Sequence, residues 1–316
     1  MIENSKIPLI AVVGPTASGK SRLAVELALL KNGEVVSADS MQIYKGMAIG
    51  TAKPTEQEMC GVKHHLIDFA DLSQPFSVAD YVTRAKACIE DIHARGKLPI
   101  LAGGTGLYVR SLLNNVQFGE SDKDETLRRE LADRAEKDGV QSLVEELRQF
   151  DPESAARIHP NNLGRVIRAI EIYRTTGVTM TQQMEESRSQ PSPYHACMIG
   201  LDFADRQILY DRINTRVDDM VQAGLVEEAQ KVLSQPNSRT ALQAIGYKEL
   251  FPYFNGEIPL PQAIENIKKE TRHYAKRQLT WFRRDEAVHW ILVDACGSLD
   301  AVLNRAKESI AHDSFL

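Results

Sequence analysis

The chain has few cysteines and lacks any long apolar run. Its four cysteines, at positions 60, 88, 197 and 296 of 316, form no C-x-x-C pair, so the spacing predicts neither a zinc site nor a disulfide framework. The longest apolar runs, Ile7–Val13 and Leu98–Ala102, fall far short of the roughly 20 residues of a membrane helix. No cationic leader with an apolar core opens the sequence. We therefore expect reduced thiols, a cytoplasmic location and no membrane span.

The chain also lacks an excess of positive charge. Its 38 Lys and Arg stand against 43 Asp and Glu, for a formal net charge of −5, which argues against a uniformly basic surface that coats nucleic acid. The charge is uneven, however, because residues 268–284 contain seven Lys or Arg and one acid, interleaved with Tyr274, Trp281 and Phe282. That mixture suits RNA phosphates and stacked bases, and it equally suits the solvated face of an amphipathic helix.

A phosphate-binding loop is the strongest motif in the sequence. Residues 14–21 match G-x-x-x-x-G-K-[ST], after a strand-like run and before a helical segment. In such a loop the backbone N–H groups and the lysine hold phosphate oxygens, and the last hydroxyl can ligate Mg²⁺. The diphosphate-binding candidates are Gly14, Pro15, Thr16, Ala17, Ser18, Gly19, Lys20 and Ser21, with Ser21 as the metal ligand. No metal-linking Asp clearly ends a second strand, so hydrolysis is disfavoured.

Strand-like and helix-like segments alternate in the first part of the chain. Apolar segments at 7–13, 34–37 and 98–102 read as strands, and Ser77–Arg95 reads as a helix that begins with a Ser-Asp capping box. Residues 121–177 are rich in charge and helical in spacing, Thr181–Pro193 reads as a linker, and 195–203 and 289–293 resume strand character. We predict an α/β fold: a P-loop NTPase-like parallel sheet covered by helices, with a helical insertion domain. The core would comprise 1–118 and 194–316, the latter ending in a helical region that includes the basic segment, and the insertion would comprise 119–193.

Two polar residues follow other predicted strands. Asp39 comes after the segment at 34–37, and Thr105 lies in the Gly-Gly-Thr-Gly turn after 98–102. Open α/β sheets carry their chemistry at this edge, so Asp39 is a candidate general base. A turn cap is the alternative role for Asp39, and a plain strand-to-helix turn is the alternative for Thr105.

Seven motifs, in order, resemble those of bacterial tRNA dimethylallyltransferases, also called tRNA isopentenyltransferases. They lie at residues 14–21, 39–46, 50–54, 103–108, 157–161, 243–248 and 276–283, and so cover essentially the whole chain. The resemblance implies transfer of a dimethylallyl group from dimethylallyl diphosphate to N6 of the adenosine at position 37, immediately 3′ of the anticodon. It implies Mg²⁺ as cofactor and the tRNA anticodon stem-loop as partner. We expect a monomer.

The resemblance also implies roles for individual residues. Asp39 would accept the N6 proton, Thr105 would hydrogen-bond the bridging oxygen of the diphosphate, and Arg216 would grip the diphosphate. Arg212, one helical turn from Arg216 on the same face, remains open as the main diphosphate arginine. Gln42 suits the edge of an adenine. The tRNA-binding candidates are Asp39, Ser40, Met41, Gln42, Thr105, Arg165, Arg168, Gln243, Gly246, Tyr247, Lys248, Lys276, Arg277, Gln278, Trp281 and Arg283.

Three other functions remain open at this point. A prenyltransferase acting on free adenine nucleotides would need neither the insertion nor the basic segment at 268–284. A P-loop small-molecule kinase would bind ATP in the loop and would have no use for Asp39 beside an adenine. A non-catalytic RNA-binding protein would have little reason to combine the loop with Asp39 and Thr105.

Overall fold

A six-stranded parallel sheet forms the centre of the larger of two compact units in the computed structural model, which describes residues 6–118, 124–235 and 243–313. The strands lie in the order β3-β2-β4-β1-β5-β6, and every neighbouring pair is parallel. They are β1 (Ile7–Val13), β2 (Gly33–Ser37), β3 (His64–His65), β4 (Leu98–Gly103), β5 (Tyr194–Asp202) and β6 (Val288–Leu292). The predicted parallel sheet is confirmed, and only the two-residue β3 was not predicted.

Helices surround the sheet and build the second unit. Those of the described residues are α1 (Lys20–Lys31), α2 (Glu56–Met59), α3 (Val78–Ala94), α4 (Gly106–Leu113), α5 (Glu125–Asp138), α6 (Val140–Phe150), α7 (Pro152–Arg157), α8 (Leu163–Thr176), α9 (Met180–Ser189), α10 (Arg206–Gln222), α11 (Leu225–Leu233), α12 (Phe251–Phe254), α13 (Leu260–Phe282), α14 (Val293–Cys296) and α15 (Leu299–His312). None of them is both long enough and apolar enough to cross a membrane.

The sheet is buried on both faces, which explains why its strands read as unbroken apolar runs. On one face, Ile10 and Val12 pack in a cluster with residues of α1 and α15. On the other face, Leu9, Ala11 and Val13 pack with residues of α3 and α4. With β1 fixed from both sides, the turn that follows it has a rigid base.

The start of α3 follows the predicted capping box. The Ser77 hydroxyl accepts from the Asp80 backbone N–H, and the Asp80 carboxylate accepts from the Ser77 N–H in return. Two N–H groups that the first turn cannot satisfy internally are thereby satisfied. The sequence pattern therefore predicted the start of this helix correctly, to within one residue.

The second unit spans Asn114–Ser192 and is entirely helical in its described part. Helices α5 to α8 bury a cluster of their own around Leu131, Leu143 and Ile170. The sequence placed the insertion at 119–193, with its first residues outside the described part. The predicted linker at Thr181–Pro193 is wrong over most of its length, because α9 runs to Ser189. This helix begins with another capping box, Thr179 with Gln182. The pattern was overlooked because the segment is polar and contains two prolines.

Candidate active site

The loop at residues 14–19 connects β1 to α1 and leaves the first turn of that helix open. Gly19 caps α1 in the left-handed region, at φ 96°, and as a glycine it offers no side chain to the N–H groups of the first turn. Ala17 also has a positive φ, 62°, and its carbonyl accepts from Arg212 Nε at 2.9 Å. Free N–H groups at a helix N-terminus form an anion site. The loop therefore has the backbone geometry that its motif predicts.

Two cations, Lys20 and Arg216, lie beside the loop. Lys20 Nζ donates to the Pro15 carbonyl at 2.6 Å, and neither Lys20 nor Arg216 forms an ion pair within the described ranges. Both are half-buried and line two adjoining cavities, of about 340 Å³ and about 1210 Å³. Burial and the guanidinium of Arg216 lower the pKa of Lys20 to about 7, although Asp39 opposes the shift. A bound anion would relieve this charge repulsion.

The oxygen atoms around the loop suit Mg²⁺ that is bound mainly through a substrate. Ser21 and Asp39 line the smaller cavity, and the Ser18 hydroxyl is buried with no partner in the described residues. No cluster of three His, Cys, Asp or Glu ligands surrounds them in the part of the chain that the structure describes. Mg²⁺ usually keeps several waters and takes one or two protein oxygens plus phosphate oxygens, so this sparse donor set fits it.

Asp39 lies at the end of β2 with its carboxylate at the smaller cavity. Oδ1 accepts from the backbone N–H groups of Met41 at 2.8 Å and Gln42 at 3.2 Å. The two functions considered from sequence, turn cap and base, are therefore compatible in one side chain. One oxygen holds the turn, while the carboxylate shares its cavity with Lys20 and Arg216.

Thr105 lies behind Asp39 and is not among the residues that line the smaller cavity. Its Oγ1 accepts from the Ser40 backbone N–H at 3.1 Å and lies 3.4 Å from the Ser40 hydroxyl. The hydroxyl of Tyr274 on α13 also hydrogen-bonds Thr105. The sequence considered Tyr274 only as a stacking residue, whereas the structure places it at this cavity beside Asp39. Only its place in the motif-rich segment at 268–284 could have indicated that position.

Gln278 is a buried brace between two loops. Its Oε1 accepts from the Thr16 N–H at 2.8 Å, and its Nε2 donates to the Gly104 carbonyl at 3.1 Å. A Cβ at Gly104 would lie only 2.0 Å from Nε2, so the close approach requires glycine there. The sequence predicts a tRNA contact for Gln278, and the structure shows its amide bound to the Thr16 N–H and the Gly104 carbonyl at the smaller cavity.

The amide of Gln42 is also engaged within the protein. Nε2 donates to the carbonyls of Thr51 and Ala52 at 3.2 and 3.1 Å, and Oε1 accepts from the Ser37 hydroxyl at 3.3 Å. Both N–H donors are therefore used, and only an acceptor lone pair on Oε1 remains for an adenine edge. Ser40, Met41 and Gln42 all line the smaller cavity, as the predicted base contact requires.

Tyr247, a predicted tRNA contact, belongs to the core in this structure. The side chain is fully buried, and its hydroxyl donates to Glu228 Oε1 at 2.7 Å. Glu228 also accepts from the backbone N–H groups of Ala48, Ile49 and Gly50 at 2.8 to 2.9 Å. Together they hold the segment that forms one wall of the cavities. The neighbouring candidates Gln243, Gly246 and Lys248 do line the smaller cavity.

The basic segment at 268–284 is divided between packing and exposure. Arg283 pairs with the buried carboxylate of Asp202 at 2.6 Å, and the Trp281 ring packs against Gly106, where a Cβ would lie 2.1 Å from it. Both make contacts within the fold, and the side chain of Arg283 remains about half exposed. Arg277 lies over the Tyr274 ring at 5.8 Å and lines the smaller cavity, and Lys276 is exposed.

Two tRNA-binding candidates lie in the helical unit. Arg168 pairs with the buried Glu171 at 2.6 Å, next to a second pair from Arg128 at 2.8 Å. Its charge is thus largely used inside the unit. Arg165 is exposed on the same helix, α8, so that its guanidinium is accessible to a phosphate.

Arg212 and Arg216 have different surroundings, so their substitution should separate them. Arg212 donates to the loop carbonyl of Ala17 and lies over Phe203 at 5.7 Å, whereas Arg216 faces Lys20 and Asp39 across the smaller cavity. We expect Arg216→Met to lower kcat about 10²- to 10³-fold, the usual loss when a donor to developing charge is removed. Arg212→Met should cost less and act mainly on the KM for the diphosphate substrate. Steady-state kinetics of both variants check this, and a larger kcat loss in Arg212→Met would reverse the assignment.

The all-parallel sheet, the glycine-rich loop after β1 and the unpaired cations at its side define a P-loop-like α/β protein with a site for a phosphorylated ligand. A model of the IPP transferase family matches residues 42–285. The chain belongs to that family.

Curated relatives agree along nearly the whole length. The tRNA dimethylallyltransferase of Caldanaerobacter subterraneus subsp. tengcongensis is 51% identical over 292 residues, which are 91% of this chain and 92% of the relative. The tRNA dimethylallyltransferase of Bacillus subtilis is 48% identical over 313 residues, or 98% of each chain. The match to the Bacillus subtilis protein covers 98% of this chain and so extends over residues 14–21 and Asp39, which precede the segment matched by the family model.

Solved structures share the fold. The tRNA isopentenylpyrophosphate transferase from Bacillus halodurans has a TM-score of 0.70 at 46% identity and covers 98% of both chains. A eukaryotic dimethylallyltransferase described as acting on tRNA has a TM-score of 0.78 at 29% identity, covering 96% of this chain and 78% of its own.

Proposed function

We propose that this chain is a tRNA dimethylallyltransferase. It transfers the dimethylallyl group of dimethylallyl diphosphate to N6 of the adenosine at position 37 of a tRNA, in the cytoplasm, and releases diphosphate. The observation that carries the proposal is the cavity of about 340 Å³, lined by a carboxylate, Asp39, and by the phosphate-loop cation Lys20 together with Arg216. Membership of the IPP transferase family supports it. The relatives named tRNA dimethylallyltransferase also support it, because the match covers more than nine tenths of each of them.

Departure of the diphosphate is the demanding part of this reaction. The lone pair of N6 is delocalised into the adenine ring, which makes the amine a weak nucleophile. The allylic carbon must therefore become electrophilic as negative charge gathers on the leaving oxygens. Lys20, Arg216 and the N–H groups after Gly19 stabilise that charge, and such preorganised electrostatics is usually the largest contribution to catalysis.

Asp39 serves as the general base for N6. Its Oδ1 is fixed by two backbone N–H groups, so the carboxylate stays oriented without the substrate. As the N6–C bond forms and the bond to diphosphate oxygen breaks, the amine becomes acidic and passes its proton to Asp39. Thr105 holds the Ser40 side of this turn through Oγ1 and is hydrogen-bonded in turn to Tyr274, which lines the cavity.

Mg²⁺ is the expected cofactor. When bound, it neutralises charge on the diphosphate and favours its departure as a leaving group. Ser21 would hold it through its hydroxyl, with Asp39 close enough in the same cavity to contribute through water. The remaining ligands would be diphosphate oxygens and water.

The tRNA is held through its anticodon stem-loop, and the target base leaves its stack to reach N6. Extrusion costs a few kcal/mol, less for a base in a single-stranded loop. Exposed Lys269, Lys276 and Arg284 offer phosphate contacts around α13, and Arg165 offers another in the helical unit. Arg277, stacked on Tyr274 at the cavity, is suited to contact the extruded adenosine.

Binding of diphosphate should take up a proton at Lys20. The pKa of Lys20 is lowered to about 7 in the free protein, and a bound anion favours the charged amine and raises that pKa. Affinity should therefore be full below about pH 7 and fall as the pH rises above it. Titration calorimetry with inorganic diphosphate and Mg²⁺, in buffers of different ionisation enthalpy, measures the uptake. Lys20→Met provides the correction for protons bound by the ligand itself, and equal uptake in both proteins would contradict the prediction.

The decisive experiment offers the purified protein several acceptors. It is incubated with Mg²⁺, labelled dimethylallyl diphosphate and unmodified tRNA, with AMP and ATP in parallel, and nucleosides are analysed by mass spectrometry. Label at N6 of adenosine 37, absent from a tRNA with guanosine at that position, is the expected result. Label in AMP or ATP alone would instead identify a free-nucleotide prenyltransferase. ATP turnover without prenyl transfer would identify a kinase or ATPase.

A further inference from the structure

Three metal-ligating side chains from separate elements meet on one face of the sheet. Cys197 comes from the middle of β5, His289 from β6, and Asp313 directly follows α15. One ligand atom from each lies within 4.8 Å of the other two. The cysteine spacing had predicted no zinc site, because these ligands are brought together by the fold rather than by a local motif.

The strand register explains the meeting of the first two residues. Ile199 pairs with His289 across the parallel β5–β6 ladder, and side chains two positions apart on a strand share a face. Cys197 and His289 therefore point to the same side. Helix α15 packs on that side through Val302, Ala306 and Ile310, which brings its C-terminal end over them.

The carboxylate of Asp313 lies between the other two groups. It hydrogen-bonds the Cys197 thiol, and its Oδ2 is 3.1 Å from His289 Nε2. Cys197 is buried, while His289 and Asp313 are half-buried, so an ion has a path from solvent. The position also suits a cation because the C-terminal end of a helix carries partial negative charge.

We propose that Cys197, His289 and Asp313 form a zinc site that ties the C-terminal helix to the edge of the sheet. Thiolate, imidazole and carboxylate are the ligands that Zn²⁺ takes in tetrahedral sites, and a thiolate disfavours Mg²⁺ and Ca²⁺. Water completes the fourth position. The site serves stability, since none of its members lines the cavities at the phosphate loop.

Zinc binding has a defined proton balance. The Cys197 thiol gives its proton to solvent as the zinc–sulfur bond forms, and Asp313 binds as the carboxylate. His289 binds through Nε2 in its neutral form, with its proton on Nδ1. Release of the thiol proton therefore accompanies each zinc that binds. If the three residues formed only a hydrogen-bonded cluster and did not bind zinc, the addition of Zn²⁺ would release no proton.

Cobalt provides the first test. The full-length protein is stripped with a chelator, reduced, and titrated with Co²⁺ and then Zn²⁺. We expect one Co²⁺ per chain, with a thiolate-to-cobalt absorption band that Zn²⁺ abolishes. The band should be lost in Cys197→Ser and kept in the matched control Cys296→Ser, and His289→Gln and Asp313→Asn should weaken binding at least about tenfold. No band in the wild-type protein, or a band that survives in Cys197→Ser, overturns the proposal.

Unfolding supplies a second test that does not depend on any one variant. With free Zn²⁺ at 100 times its dissociation constant, the unfolding equilibrium constant of the wild-type protein should fall about 100-fold. His289→Gln and Asp313→Asn lie at the surface and should fold, so they should show no comparable gain. An equal response of these variants and the wild-type protein would place the zinc elsewhere and refute the site.

Discussion

Replacing Asp39 with asparagine should lower kcat for prenyl transfer to tRNA by about 10²- to 10⁴-fold, the usual contribution of a general base. Asparagine keeps an Oδ1 that can accept from Met41 and Gln42, so the turn is preserved while the basic oxygen is lost. The change therefore isolates proton transfer from loop geometry. Single-turnover transfer of labelled dimethylallyl groups to tRNA measures it directly.

Two controls belong to this experiment. The affinity of Asp39→Asn for inorganic diphosphate should stay near that of the wild-type protein, because the loop, Lys20 and Arg216 remain. Asp39→Ala should lose both the base and the turn, and should in addition bind tRNA less well. Near-normal transfer by Asp39→Asn would show that another group takes the N6 proton, and near-normal transfer by Asp39→Ala would exclude Asp39 from the chemistry.

Replacing Lys20 with methionine should lower kcat/KM by about 10²- to 10³-fold, with most of the loss in kcat. The methionine keeps a flexible unbranched stem but removes the cation that meets the leaving diphosphate. Because the transition state carries more charge on the leaving oxygens than the bound substrate does, transition-state stabilisation is lost in greater measure than binding.

The kinetic constants of Lys20→Met and of a matched control separate this effect from general damage to α1. Lys31→Met removes a lysine from the last turn of the same helix and should leave the activity unchanged. A rise in KM with an unchanged kcat would mean that Lys20 only binds substrate. Equal losses in both variants would mean that the helix, rather than the charge at the loop, has been disturbed.

The parts of the fold that could be predicted are those encoded locally. Ile7–Val13 is a contiguous apolar run because both faces of β1 are covered. The phosphate-loop motif can be recognised because its residues, 14–21, are consecutive in the sequence. The capping box at Ser77 is equally local. By contrast, β3 is two residues long and offers no periodicity to detect.

The roles that could not be predicted depend on contacts between distant positions. Gln278 binds the Thr16 N–H across 262 positions of sequence, and Tyr247 is buried against Glu228. Both occur in motifs shared with a family that acts on tRNA, and a motif by itself does not show which of its residues also hold a loop. The ion pair of Arg283 with Asp202 was missed for the same reason, since a count of positive charges takes no account of partners.

The position of β1 in the sheet also determines when the phosphate loop can form. One edge of β1 pairs with β4, and the other pairs with β5, so that Ile7 meets Tyr194. Contacts between residues so far apart must overcome a large loop-closure entropy and slow the folding of a chain. The helical unit at 114–192 has its own apolar cluster, built from neighbours in sequence, and can fold as that stretch emerges from the ribosome. The loop, although encoded within the first 21 residues, reaches its final geometry only after Gln278, which accepts from the Thr16 N–H, has also been synthesised.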